Sequence, residues 1–259
     1  MTKKDLLERL DSIKEDFDDL IDEIENGDDQ EEEQRPAHSV FVMPFAAIKR
    51  MIQAGLIDLF NVGDQVINKH EKFGPIVWDI IGKNHDKPAN GDGPTLTLQM
   101  HDVLPGVYVY DTASDAFPYG HAHYPSSTIR NTLNTEILNG FSEEDRAAMV
   151  EVDKVTYQAN DDGGKPETTA DKLFLLSCSE VGFTGEYVRP EGDVYEYYDG
   201  MPARRCKAEL NDREQARYWW LRSPYPGYAN FARTVSTSGA QNYVSAYYGY
   251  GAAAACVIG

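Results

Sequence analysis

Trp219-Trp220-Leu221-Arg222-Ser223-Pro224 is the stretch on which the reading of this chain turns. Two adjacent tryptophans are rarely both exposed, so at least one should pin the segment to a core. Ser-Pro then turns the chain. After it come Tyr225, Tyr228, Phe231, Tyr243, Tyr247, Tyr248 and Tyr250, interleaved with Gly, Ala, Ser and Asn. From Tyr218 to Gly259 there is no Asp, Glu, Lys or His, the only charges are Arg222 and Arg233, and 7 of the chain's 16 tyrosines lie here. Tyrosine supplies a large amphipathic contact area with few torsions to freeze, and its small neighbours supply adaptable hydrogen bonding, as in an antibody paratope. The lack of charge spares an interface the desolvation of buried ions. Val235 and Cys256-Val257-Ile258 read instead as core strand. The cluster Tyr243 to Tyr250 reads as a binding surface, because crowded aromatics with small neighbours fill a core poorly.

The rest of the chain has the opposite character. Its 259 residues include 43 acidic and 24 basic side chains, a net charge of −19. Residues 1–34 alone hold 15 Asp or Glu against 4 Lys or Arg. So negative a chain repels phosphate backbones, and no nucleic-acid partner is expected. No apolar run approaches the roughly 20 residues of a membrane span, so no membrane insertion is expected. The start, Met-Thr-Lys-Lys-Asp-Leu-Leu-Glu, lacks the apolar core of a signal peptide, which predicts synthesis in the cytoplasm. Cys178, Cys206 and Cys256 are an odd, widely spaced set and read as buried free thiols.

Leu6, Leu10, Ile13, Phe17, Leu20 and Ile24 follow the spacing of a coiled-coil seam. A lone helix this short is marginal in water, so residues 6–24 need a partner, either a second copy or the body of the protein. Asn26-Gly27 stops the helix, and 28–34 reads as a solvated linker. This divides the chain into an acidic coiled-coil-like head, 1–34, and one domain, 35–259. In the domain, Pro44 to Ala54 predicts a short amphipathic helix ended by Gly55. Ile76 to Ile81 and Leu96 to Met100 predict strands. Ser126 or Ser127 caps a helix through Ile129, Leu133 and Ile137, and Ser142 opens another. Met149 to Tyr157 reads as one strand and Leu173 to Leu176 as a buried run. Short helices scattered among short strands predict an α+β fold.

His121-Ala122-His123 would set two imidazoles on one face of a strand, but two ligands do not make a zinc site, and a surface loop is the plainer reading. Asn160-Asp161-Asp162-Gly163-Gly164 lacks the length and closing Glu of a calcium loop and reads as a turn. Phosphate-binding glycine motifs, a nucleophile elbow and a recognisable Cys-His pair are missing. No catalytic residue, metal or cofactor is expected.

The tail resembles the C-terminus of the variable proteins of diversity-generating retroelements. The residues that carry the resemblance are Trp219 to Pro224, Val235, Gly239 and Gly251 through Ile258. Upstream, Ser127 to Asn134 and Leu173 to Ser177 resemble a lectin-like domain common in phage and gut bacterial proteins. The resemblance covers about 62 to 259 and implies a C-type-lectin fold with a hypervariable ligand-binding surface within about 222–258. It implies a receptor-binding or adhesion role at a phage tail tip or a displayed cell surface, with a protein or surface receptor as partner. The variable positions would be Tyr225, Gly227, Tyr228, Asn230, Phe231, Thr234, Ser236, Asn242, Tyr243, Val244, Ser245, Tyr247, Tyr248 and Tyr250. The frame would be Trp219, Trp220, Leu221, Arg222, Ser223, Pro224, Ala229, Ala232, Arg233, Val235, Gly239, Ala246, Gly249 and Cys256. Ala254 departs from the family's frequent Pro. In that family the codons AAC and AAT are diversified at their first two bases, which cannot yield Lys, Glu, Gln, Met or Trp. From Arg222 to Gly259 those residues occur once, at Gln241. Calcium-dependent sugar binding is not implied, because the tail has no carboxylate. Two other readings stand beside this one: a formylglycine-generating type of enzyme on the same scaffold, and a structural phage tail protein.

Overall fold

The alternation Leu96-Thr97-Leu98-Gln99-Met100 forms the predicted strand in the computed structural model, which describes residues 38–210 and 212–259. The coiled-coil-like head, 1–34, lies outside the described residues. The first strands are β1 (Val40–Val42), β2 (Gln65–His70), β3 (Gly74–Lys83), β4 (Leu96–Met100) and β5 (Tyr108–Val109). Next come β6 (Met149–Val150), β7 (Val152–Tyr157), β8 (Pro166–Asp171), β9 (Leu173–Phe174), β10 (Lys207–Glu209) and β11 (Asp212–Arg217). The tail supplies β12 (Trp219–Pro224), β13 (Phe231–Val235), β14 (Gln241–Ser245), β15 (Gly249–Tyr250) and β16 (Ala255–Ile258).

The largest sheet runs β1-β2-β3-β4-β16-β6, with β9 also on β16. Only β1 and β2 pair in parallel within it. β16 takes β4 along one edge and divides its other edge between β9, at Ala255 and Cys256, and β6, at Val257 and Ile258. Its residues are fully buried, so Cys256-Val257-Ile258 is core strand as expected. β12-β13-β14 form a separate antiparallel sheet, and β5-β15, β7-β8 and β10-β11 are two-stranded. With its short helices this is an α+β fold.

The helices follow their local signals. Phe45–Gln53 starts at Pro44, ends before Gly55 in the left-handed region at φ 80°, and buries Phe45, Ile48 and Ile52. Phe45 meets Trp78 edge-on at 5.3 Å between ring centroids. Each such burial contributes about 1.5–3 kcal/mol. The Ser127 hydroxyl accepts from the Arg130 N–H at 3.3 Å and caps Thr128–Thr132, which continues into a π turn, Leu133–Ile137. Ser142 caps Glu143–Ala148 through the Asp145 N–H at 3.1 Å.

Two expectations need correction. Met149 to Tyr157 is two strands, broken at Glu151: β6 joins β16, whereas β7 pairs with β8. His121 and His123 lie in a loop, in line with the plainer reading of that segment. Cys206 is exposed, because it leaves the short 3-10 turn Pro202–Arg205 on the opposite side from the buried Lys207; only Cys178 and Cys256 are buried.

Candidate ligand-binding surface

The surface rests on β12. Both tryptophans are fully buried, and their indole N–H groups donate to backbone oxygens: Trp219 to Arg205 at 2.9 Å, Trp220 to Tyr108 at 2.7 Å. That resolves the cost of burying a polar indole edge. Arg222 is also fully buried. Its Nε donates to Val155 O at 3.2 Å, Nη1 to Leu175 O at 3.0 Å and to Glu180 Oε2, and Nη2 to Glu180 Oε1 at 3.0 Å and to Glu191 O. A guanidinium has five N–H donors, and each has an acceptor here. Lys154 reaches the same Glu180 at 3.1 Å and also Asp86 and the Tyr195 hydroxyl. Burial alone would raise the Glu180 pKa, but the charges of Arg222 and Lys154 hold it down at about 2. Glu191 differs: burial outweighs the pull of Arg222 and pushes it up to about 7. It accepts from the Ser223 hydroxyl and from the Tyr157 N–H.

Above this frame stands the β13–β14 hairpin. Its register pairs Phe231 with Ser245, Arg233 with Tyr243 and Val235 with Gln241, so these six share one face. Tyr225 is the hub of that face. Its ring stacks on Tyr243 at 4.3 Å and lies near-parallel to Tyr187 at 5.8 Å and Tyr228 at 6.1 Å. Phe231 meets Tyr243 at 5.5 Å and Tyr228 at 5.7 Å. A second group joins Tyr247 to Tyr248 at 4.4 Å and to Tyr119 at 5.8 Å. Gly227 permits the packing at the hub, since a Cβ there would come 2.6 Å from the Tyr225 ring.

Most of the expected variable positions are exposed or half-buried: Tyr225, Gly227, Tyr228, Asn230, Phe231, Asn242, Tyr243, Val244, Ser245, Tyr247, Tyr248 and Tyr250. Thr234 and Ser236 depart from this. Thr234 is 1% exposed and Ser236 7%. Thr234 sits opposite Trp220 in the β12–β13 ladder, and Ser236 accepts from the Ala240 N–H across the hairpin turn, so both are drawn inward. Tyr250 is half-buried against Trp220, 5.3 Å away and edge-on. The expected frame is buried except at Ala229 and Gly249.

Two loops outside the tail extend the face and were missed in the sequence. One, residues 111–122, brings Tyr119, 57% exposed, and Phe117. The other brings Tyr187, 51% exposed. The signal was present in aromatics set among breakers, as in Phe117-Pro118-Tyr119-Gly120 and Gly185-Glu186-Tyr187. The first loop is fastened by backbone bonds: Asp111 N to Ala246 O at 3.0 Å, Tyr247 N to Tyr119 O at 3.1 Å, and Ala122 N to Ala229 O at 2.6 Å. Gly120, at φ 73°, makes room for this, because a Cβ there would meet Tyr247 N at 2.8 Å.

The two histidines are paired within the fold. His121 and His123 stack at 5.4 Å, but each faces its own carboxylate, Asp162 at 2.8 Å and Glu167 at 2.7 Å. Among the described residues no three His, Cys, Asp or Glu side chains converge as a metal site. Asn160–Asp162 is a single 3-10 turn closed by Gly163. No helix among the described residues is long and apolar enough to cross a membrane. Residues 97–259 match the family described as "Domain of unknown function (DUF6273)", and the chain belongs to that family. No curated protein and no solved structure matches the chain.

Proposed function

We propose that this member of the DUF6273 family is a hypervariable ligand-binding protein, diversified by a retroelement, whose C-type-lectin-like domain presents a tyrosine-rich surface to a receptor. The observation that carries the proposal is a segregation along one short stretch. Positions assigned to variation are exposed or half-buried apart from Thr234 and Ser236, and positions assigned to the frame are buried apart from Ala229 and Gly249. A surface that must change its side chains without unfolding needs this separation, because surface substitutions cost within about 0.5 kcal/mol and core ones several times more. The uncharged tyrosine alphabet suits the same task.

The partner on this reading is a protein or surface receptor, met from a phage tail tip or a displayed cell surface. Pairing of residues 6–24 between copies would add avidity to weak single sites. The formylglycine-generating alternative asks for a reactive cysteine pair. Burial pushes the Cys178 thiol up to about 11 and the Cys256 thiol upward as well, which works against thiolate chemistry. Sequencing this gene across a mixed population tests the proposal. Substitutions should crowd at the variable positions, with Thr234 and Ser236 the least varied of them. An even spread over 97–259 would overturn it.

A further inference from the structure

The tail's second arginine is held in an unusual way. Arg233 is 4% exposed, yet among the described residues it pairs with no carboxylate. Its Nη2 donates to Tyr187 O at 3.0 Å, and its Nε is buried with no partner. The guanidinium lies 4.8 Å from the Tyr225 ring centroid and 5.7 Å from that of Tyr243. Ring faces compensate a buried cation only in part, by about 2 kcal/mol when desolvated, whereas removing the charge from water costs several. Buried N–H groups are normally satisfied, and an exception asks for an explanation.

We infer that Arg233 is the anion receptor at the floor of the tyrosine surface, and that it takes a carboxylate borne on an apolar or aromatic group of the ligand. The carboxylate accepts from the guanidinium, and the adjoining apolar group packs against Tyr225, Tyr187 and Tyr243. Charge-assisted bonds of this kind are about twice as strong as neutral ones, and a planar guanidinium takes a carboxylate by two parallel bonds. The long-range field restricts the ligand further. A chain of net charge −19 repels a free anion. The anion that reaches Arg233 is therefore carried by a group that the rings hold. This deepens the proposed function and rests on its binding surface, though not on diversification.

The test is a titration of the full chain with phenylacetate, acetate and benzyl alcohol, followed by the arginine Nε–H and tyrosine ring signals in NMR. Arg222, whose donors are all used, is the internal reference. Phenylacetate should move Arg233 Nε–H and the rings of Tyr225 and Tyr243 along one saturable curve, at least about fivefold tighter than acetate. Benzyl alcohol should move the rings alone. Arg233→Gln should abolish the advantage of phenylacetate over benzyl alcohol. The inference is overturned if saturating phenylacetate shifts Arg233 no more than Arg222, a measurement that needs no variant. It is also overturned if folded Arg233→Gln binds phenylacetate as the parent does. An even spread of natural substitutions would end the diversification proposal and leave this result standing.

Discussion

Arg222 and Arg233 are the only two charges between Tyr218 and Gly259, and both are buried. There the likeness ends. Arg222 places all five donors on acceptors drawn from β7, Leu175, Glu180 and Glu191. Arg233 has one hydrogen bond, an orphaned Nε and two aromatic rings for company. The first is a fastener: its charge is consumed in tying β12 to the interior. The second keeps its bonding capacity in reserve beneath the face that the tyrosines cover. Burial by itself therefore says little about a charge's role; the count of satisfied donors separates the two.

Substitution can break that contrast. Arg222→Gln leaves Glu180 with Lys154 as its cationic partner and takes a guanidinium donor from five acceptor atoms, three of them the backbone oxygens of Val155, Leu175 and Glu191. It should lose about 3–5 kcal/mol in urea unfolding, or fail to fold. Parity between Arg222→Gln and Arg233→Gln in the same experiment would end the distinction.

The carboxylates around Arg222 give the frame a pH signature. Glu180 has a folded pKa of about 2 against an ordinary carboxyl value of 4.5, so its contribution is present above 4.5 and lost as pH falls toward 2. Glu191 has the reverse sign: the fold holds a proton up to about 7 that the unfolded chain releases near 4.5. Stability should therefore decline as pH rises from about 4.5 to 7, by on the order of 3 kcal/mol. Glu191→Gln should flatten that decline and leave the acid limb in place. A decline that survives in Glu191→Gln would assign it to other groups.

The upper layer should respond weakly. Arg233→Gln removes cation–ring contacts but also an uncompensated burial, so its net effect on thermal unfolding should stay within about 1 kcal/mol. Tyr243→Asn, at a half-exposed strand position, loses its ring contacts with Tyr225 and Phe231 and should cost about 1–2 kcal/mol, below the roughly 3–5 kcal/mol of a buried aromatic truncation. A loss from Tyr243→Asn comparable to a core truncation would mean that the tyrosines are structural after all.

How far the sequence discloses all this depends on how local the signal is. The caps at Ser127 and Ser142 and the alternation of Leu96–Met100 are fixed by neighbours a few residues away, and the chain adopts them as read. The tryptophan anchor is legible for the same reason, since adjacent indoles carry their own burial requirement. The break at Glu151 is not legible, because the alternation of β-forming residues runs through it and only the partners, β16 and β8, differ. Arg222 draws its acceptors from residues 31 to 67 positions away, a set that no spacing reveals. The inward turn of Thr234 is likewise dictated by Trp220 on the adjacent strand. Tyr119 and Tyr187 reach the face only because their loops dock beside the tail, a tertiary event.

The docking of residues 111–122 has a consequence for how the tail tolerates substitution. Asp111, Tyr119 and Ala122 grip the tail at Ala246, Tyr247 and Ala229 through peptide groups. Apart from proline, which has no N–H, every residue offers the same peptide group, so exchanging Tyr247 for another non-proline residue leaves its N–H bond to Tyr119 intact. Stability effects at well-separated exposed positions then add nearly independently. If the tail is diversified as proposed, substitutions at such positions leave the loop's backbone grip on the tail in place.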